Sequence, residues 1–345
     1  MLNIKCTGSP YQIGFTHGKE AAELVKGTIK FYAALFEETA TMKWPQVLTF
    51  ARDLEGWIKK QWPRFYEEMQ GVADGAVVSI SDVIAINVRT EIMFGLSSDG
   101  CTSLGWTSEE KKTTFLGQNW DWRPGQAEHL ILLNITQPEI PQIQMVTEAG
   151  LIGKIGFNAA GVGVCFNAIR SAGVDTSRMP VHLGLRSALE CTSAKAAVAA
   201  IQEHGMAAAA SILIADKSTC VCVEFTSKTV IVLPADMHGR VYHSNHLLGE
   251  HGASEPHRSV DTTDRFARIK ELAGPLSPSS TLAQFYEIFK DEQGYPAAIC
   301  RASYSVRENA SLFTIAMDLS MRCAIVTKGR PCAPEETYQL QLKAF

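Results

Sequence analysis

The chain has 345 residues, 46% of them hydrophobic and 20% charged, with a net charge of −4 and a pI near 6.2. That balance belongs to a globular protein long enough to bury a large core, and without a run of five basic residues it argues against a nucleic-acid binder. No uninterrupted stretch of about 18 apolar residues occurs, so no membrane span is expected.

The opening MLNIKC reads as a strand, and the Gly-Ser-Pro that follows breaks the apolar run a secretory leader would need. An intracellular, cytoplasmic chain is therefore expected. From there to about residue 100 the apolar residues recur every three or four positions. GKEAAELVKGTIKFYAALFEET, VLTFARDLEGWIKKQWPRFYEEMQGVA and SISDVIAINVRTEIMFG each read as helical, the last with Ser81 as N-cap and Gly95 near its end. His17 is expected at a helix start. Beyond residue 100 the period falls to two. TTFLGQNWDW, HLILLNIT, IQMVTEAG, KIGFNAAGVGVCFNAI and ASILIADKSTCVCVEFTSKTVIVL read as successive strands separated by Gly, Pro, Asn and Lys-Ser turns. Helices return at about 180–204 and 262–290, and SLFTIAMDLS and RCAIVTKG form a last pair of strands. Blocks of strands and blocks of helices predict stacked antiparallel sheets with helices outside, an α+β fold around one core.

Nine cysteines are spread without a CxxC pair, so neither a disulfide framework nor a metal centre is expected. Cys220 and Cys222 share one face of a strand and read as core thiols, since zinc would need two further ligands. Cys101 is placed differently. It follows the Asp99-Gly100 turn and stands at the first residue of a strand, where the helical half of the chain gives way to the sheet half.

If the Gly100–Cys101 bond is cut, Cys101 carries a thiol and an α-amine together. The amine titrates at about 8 and the thiol at about 8.5, so one residue supplies nucleophile and base. The thiol can make the cut by attacking the Gly100 carbonyl, and a residue without Cβ leaves room for that attack. A plain buried cysteine is the competing reading, and a Cys–His pair with His243 or His246 is another. Acyl transfer also needs oxyanion donors, for which Asn119, Asn158, Asn167 and Asn245 are candidates in strand-like segments. Asp121, between Trp120 and Trp122, can orient a cationic amine or accept from a backbone N–H.

At these residues the sequence resembles the acyl-coenzyme A:isopenicillin N acyltransferases, a branch of the N-terminal nucleophile hydrolases. The resemblance runs through GFTHG, RTEIMFGL, DGCTS, GQNWDW, TEAGLIGKIGFNAAGVGVCFNAI, LRSALECTS, HSNHLL, YPAAICRA and KGRPCAPEE, nearly the whole chain in order. It implies a four-layer αββα sandwich, one domain over 1–345. It also implies self-cleavage into an α-chain 1–100 and a β-chain 101–345 that stay associated. Cys101 is then the nucleophile, Asp121 lies beside the new terminus and Asn245 supplies the oxyanion hole. Asn167 matches an asparagine of choloylglycine-type hydrolases, and Asn119 is a further neighbour of the site. The implied reaction exchanges the aminoadipyl side chain of isopenicillin N for an acyl group from acyl-CoA, with acyl-CoA as co-substrate and no cofactor or metal.

Two departures stand out. The penicillin-making enzymes carry a Ser-Arg pair shortly after CRA, but CRASYSVRENASLF is one residue shorter and puts Glu308 at the Arg position, leaving Arg301 or Arg307 to bind a substrate carboxylate. They also end in a peroxisomal tripeptide, whereas this sequence ends in LKAF. A hydrolase of another N-acyl amine and a catalytically silent homologue are the alternative readings.

Overall fold

The computed structural model describes residues 1–93, 100–255 and 258–345. Strand β1 (Leu2–Thr7) leads into helices α1 (Pro10–Glu20), α2 (Ala22–Ala40), α3 (Trp44–Gln61), α4 (Pro63–Ala76), α5 (Ile80–Asn87) and α6 (Arg89–Met93). The single periodic run expected over 47–73 is split at Pro63. Its ring pushes Trp62 out of the helical region, to φ −132° and ψ 63°. Ser79, not Ser81, caps α5: its hydroxyl accepts from Asp82 N at 3.1 Å while its own N–H donates to the Asp82 carboxylate. The helix expected to continue to Gly95 breaks at Val88, and Gly95 lies outside the described residues.

The motif GFTHG acquires a packing reason. Gly14 and Gly18 sit one turn apart on α1, and a Cβ on either would collide with the α4 backbone at Glu68 and Val72. Gly71 and Gly75 make the reciprocal approach from α4. His17, between the two α1 glycines, is in the last turn of its helix rather than the first, buried, with Nε2 accepting from Gly150 N at 2.9 Å.

Strands then dominate: β2 (Thr102–Ser108), β3 (Thr113–Trp122), β4 (Leu130–Thr136), β5 (Ile143–Glu148), β6 (Ile155–Asn158) and β7 (Gly163–Ala168). Helices α7 (Val181–Leu189) and α8 (Ala194–His204) precede β8 (Ala210–Ala215), β9 (Cys220–Phe225), β10 (Val230–Pro234) and β11 (Arg240–His243). The helical stretch expected over 262–290 is two pieces, α9 (Val260–Ala273) and α10 (Leu282–Glu287). The chain ends with β12 (Ala310–Asp318), β13 (Cys323–Lys328) and an unforeseen β14 (Glu336–Gln341).

One sheet has the order β1-β4-β5-β6-β7-β8-β9-β10 and the other β11-β2-β3-β12-β13-β14. Pairing is antiparallel except for β1 with β4, which run parallel. The two sheets pack face to face. Helices α1–α8 lie on the side of the eight-stranded sheet, and α9 and α10 cover the outer face of the six-stranded one. This is the four-layer αββα arrangement. A second apolar cluster, including Leu104, Trp106, Phe115, Phe285 and Phe289, fills the space under α9 and α10. Across the helical layer, Arg186 of α7 forms a buried bidentate pair with Glu68 of α4, both bonds 2.7 Å.

Candidate functional site

Alternation along β2 and β3 divides the site into two sides. Leu104 and Trp106 face the α9/α10 layer, while Ser103 reaches Asn167 of the opposite sheet and Gly105 abuts Cys220. By the same alternation the Cys101 side chain belongs between the sheets, beside Trp120 on β3. Gly100 belongs on the helix side, where a Cβ would run into the Arg301 guanidinium. Cys101 is fully buried, with Sγ 3.8 Å from the backbone oxygen of Asp121. Asp99, the other half of the expected turn, lies outside the described residues.

On the helix side Asp121 accepts from Ser311 Oγ at 2.6 Å, and its other oxygen is 3.4 Å from Arg301 Nε. Burial pushes its carboxyl up to about 7, even though the guanidiniums of Arg301 and Arg265 and the Ser311 hydroxyl pull it down. Arg301 is also paired with Asp261, and its backbone N–H donates to Ser311 Oγ at 3.0 Å. Asp261 in turn holds Arg265 Nε at 3.1 Å.

Arg265 is the hub. Its Nη1 donates to the Cys101 carbonyl at 2.5 Å and to Thr102 Oγ1 at 2.8 Å, and its Nη2 donates to Asn245 Oδ1 at 3.0 Å. One planar fork thus ties the cysteine to the asparagine. Asn245, two residues past β11, is further held by its N–H on Thr262 Oγ1 at 2.7 Å. Its Nδ2 donates one hydrogen to Ala168 O at 3.0 Å, which leaves the second hydrogen of that amide. Asn167 stands on the thiol's side of the sheet. Its Oδ1 accepts from Ser103 Oγ at 2.6 Å, and its buried Nδ2 has no hydrogen-bond partner among the described residues.

Other sequence candidates have different partners. Asn119 faces the helix layer, where Nδ2 donates to the carbonyls of Phe289 and Ile299 at 2.8 Å and Oδ1 accepts from Thr314. No donor of its amide is left for an oxyanion. Asn158 closes the β6–β7 turn and anchors Leu189 and Cys191. His243 directs its ring nitrogens at Ser244 O and Glu224, and His246 directs Nδ1 at Ser244 and Thr262. Arg307 is exposed on the segment before β12, and Glu308 accepts from Tyr304 N at 3.0 Å. Of the two arginines expected to bind a substrate carboxylate, Arg301 is already engaged by two aspartates and Arg307 stands apart.

Arg265, Asp261, Thr262 and Ser311 were not singled out from the sequence. A usable signal existed: Thr262, Arg265, Ile269 and Ala273 form the buried stripe of α9, and an arginine in an apolar stripe is out of place unless it serves a partner. For metal binding, the described residues offer Glu292, Cys300 and Cys332, with ligand atoms within 4.8 Å of one another. That set is one donor short of a closed tetrahedral site, and Glu292 is ion-paired with Arg330.

Two face-to-face sheets between helical layers, with a cysteine at the head of an interior strand, define an N-terminal nucleophile hydrolase fold. Penicillin V acylase from Agrobacterium tumefaciens shares it, with a TM-score of 0.51 over 70% of this chain and 86% of that one at 10% identity. Residues 107–333 match the acyl-coenzyme A:6-aminopenicillanic acid acyl-transferase family. The 40 kDa form of acyl-coenzyme A:6-aminopenicillanic-acid-acyltransferase of Emericella nidulans is 38% identical over 98% of this chain and 95% of its own length. The chain belongs to that acyltransferase family and is an enzyme. No helix among the described residues is long and apolar enough to cross a membrane.

Proposed function

We propose that the protein is a self-processing acyltransferase that replaces the aminoadipyl side chain of isopenicillin N with an acyl group delivered by acyl-CoA. The observation that carries this reading is the Arg265 fork, which joins the Cys101 carbonyl to Asn245 beside the buried Asp121. Processing begins when the Cys101 thiol attacks the Gly100 carbonyl, forming a thioester that water hydrolyses to leave chains 1–100 and 101–345. The new α-amine then takes the thiol proton, and Asp121 in its carboxylate form steadies the resulting ammonium. The thiolate attacks the substrate amide, and the free Nδ2 hydrogen of Asn245 receives the oxyanion. The amine product leaves, and water hydrolyses the aminoadipyl thioester to free the Cys101 thiol. Acyl-CoA then acylates that thiol by thiol–thioester exchange, releasing coenzyme A, before the acyl group passes to the waiting amine. The reaction calls for no resident cofactor or metal, and we place it in the cytoplasm.

The engagement of Arg301 by Asp121 and Asp261, and the exposed position of Arg307, favour a second substrate reading. A carboxylate arriving at Cys101 meets no uncommitted arginine from the 301–307 segment, so the amide substrate is then an N-acyl amine other than a penicillin. Intact mass under denaturing conditions tests the processing step: two chains are expected, the larger beginning at Cys101, and one chain after Cys101→Ala. A wild-type chain that stays whole refutes it. Product analysis with isopenicillin N, with and without phenylacetyl-CoA, separates transfer from hydrolysis and penicillin from other amides.

A further inference from the structure

Cys300 and Cys332 come from segments far apart in the sequence, yet their sulfurs lie 3.3 Å apart. Cys300 is buried and Cys332 is exposed, so one thiol meets solvent and the other waits directly behind it. Arg330 closes the cluster by donating to the Cys300 carbonyl at 3.3 Å and pairing with Glu292. The next residue after Cys300 is Arg301, whose backbone is pinned to Ser311 and whose side chain holds Asp121 and Asp261.

We propose that Cys300 and Cys332 are a reversible oxidation site, closed to a disulfide by low-molecular-weight disulfides of the glutathione class, and that closure slows the acyltransferase by displacing Arg301. The coupling to activity rests on the proposed function; the oxidation site does not. The exchange balances in two steps. The Cys332 thiolate attacks one sulfur of the oxidised reagent, forming a mixed disulfide and expelling one equivalent as thiolate. The Cys300 sulfur then attacks the Cys332 sulfur, the second equivalent leaves, and the Cys300 proton departs with it as a thiol. The two protein sulfurs are oxidised and one small disulfide is reduced to two thiols.

Closure shortens the sulfur separation from 3.3 Å to about 2.05 Å. The exposed turn carrying Cys332 can give, but part of that movement falls on Cys300 and so on the backbone of Arg301. Displacements of about 1 Å in groups that position a reacting centre cost up to about a hundredfold in rate. A metal competes poorly here, because Glu292 is engaged by Arg330 and a fourth donor is missing among the described residues.

The test treats purified protein with oxidised glutathione, alkylates the remaining thiols and maps peptides, with Cys332→Ser alongside. The expected map links the Cys300 and Cys332 peptides, about 2 Da lighter than their sum, and dithiothreitol undoes the link. Wild-type activity should fall about tenfold further than that of Cys332→Ser under the same oxidant and recover on reduction, since loss common to both belongs to Cys101. Absence of the linked peptide overturns the proposal, and so does equal loss in the two proteins. If the reduced protein is uncut and inactive, the proposed function fails instead, while the peptide map still decides the oxidation site.

Discussion

Gly100→Ala puts the strongest demand on the geometry around the bond proposed to be cut. A Cβ at this position would lie 2.8 Å from Cζ and 2.9 Å from Cδ of Arg301, and nearer still to Nε. Ordinary contact begins at 3.4 Å, so the guanidinium carbon must retreat by about 0.6 Å and Nε by more. Arg301 is not free to swing, because Asp261 and Asp121 hold it from two sides. A shift of that size strips Asp121 of the cation that offsets its burial and moves the backbone that the thiol must attack. Processing should slow about a hundredfold, equivalent to about 2.7 kcal/mol in the barrier. The assay follows the disappearance of the uncut chain by mass after synthesis, with thermal unfolding as the check that the fold survives. Cleavage of Gly100→Ala at the wild-type rate, with an unchanged melting temperature, would refute the placement of Arg301 against the scissile bond.

Arg265→Lys keeps the charge but not the fork, and one ammonium cannot hold both Cys101 O and Asn245 Oδ1. Turnover should drop by about ten- to a hundredfold with KM nearly unchanged; a pure KM effect would contradict the bridging role. Asp121, pushed up to about 7 by burial, changes charge near neutrality. Activity should rise as pH passes upward through about 7, when the carboxylate forms, and Asp121→Asn should be slower and lack that step. The same shift bears on stability with the opposite sign: an acid with a raised folded pKa stabilises at low pH and loses that contribution as pH climbs through about 7. His17 and His246 are held down to about 4 by burial, so each favours folding above its ordinary 6.5 and less and less as pH falls from there towards 4. The loss amounts to about 3 kcal/mol for each at most. Asp121 gains stability over the same fall in pH, so the informative quantity is the difference between two proteins. From pH 7 to pH 5, urea titrations should show His17→Gln, which keeps an acceptor for Gly150 N–H but cannot titrate there, changing by about 2 kcal/mol more favourably than the wild type. An identical change in the two proteins would remove His17 from the explanation.

The change of period at residue 100, the strand runs after it and the cysteine at the junction were all legible along the chain, because alternation and helical spacing are properties of neighbours. GFTHG was legible only as part of the family pattern; that its two glycines let α1 approach the α4 backbone was not. The errors came where local rules compete. Pro63 overrode a continuous apolar period, and Ser79 outcompeted Ser81 because only it has Asp82 three residues on. β14 does alternate, with Tyr338 and Leu340 on the less exposed side and Thr337, Gln339 and Gln341 outward, but only Leu340 in it is buried, so the signal of this edge strand was weak. The parallel pairing of β1 with β4 joins segments more than a hundred residues apart and leaves no local trace.

Sequence by itself determined the layered α+β class and marked Cys101, Asp121 and Asn245 by their residue types, their positions and the family pattern they share. Tertiary structure decided which groups surround them. Asn119 and Asp121 share a strand face, yet one is used up on Phe289 and Ile299 and the other meets Arg301. Arg265 and Asp261 look like an ordinary i,i+4 surface pair until α9 is laid on the outer sheet and buries Arg265 over the start of β2, with Asp261 half-buried beside it. The physical reason is the range of the interactions. Backbone periodicity is set by residues a few positions apart, whereas the desolvation of Asp121 and the reach of Arg265 depend on elements that only the packed layers bring together.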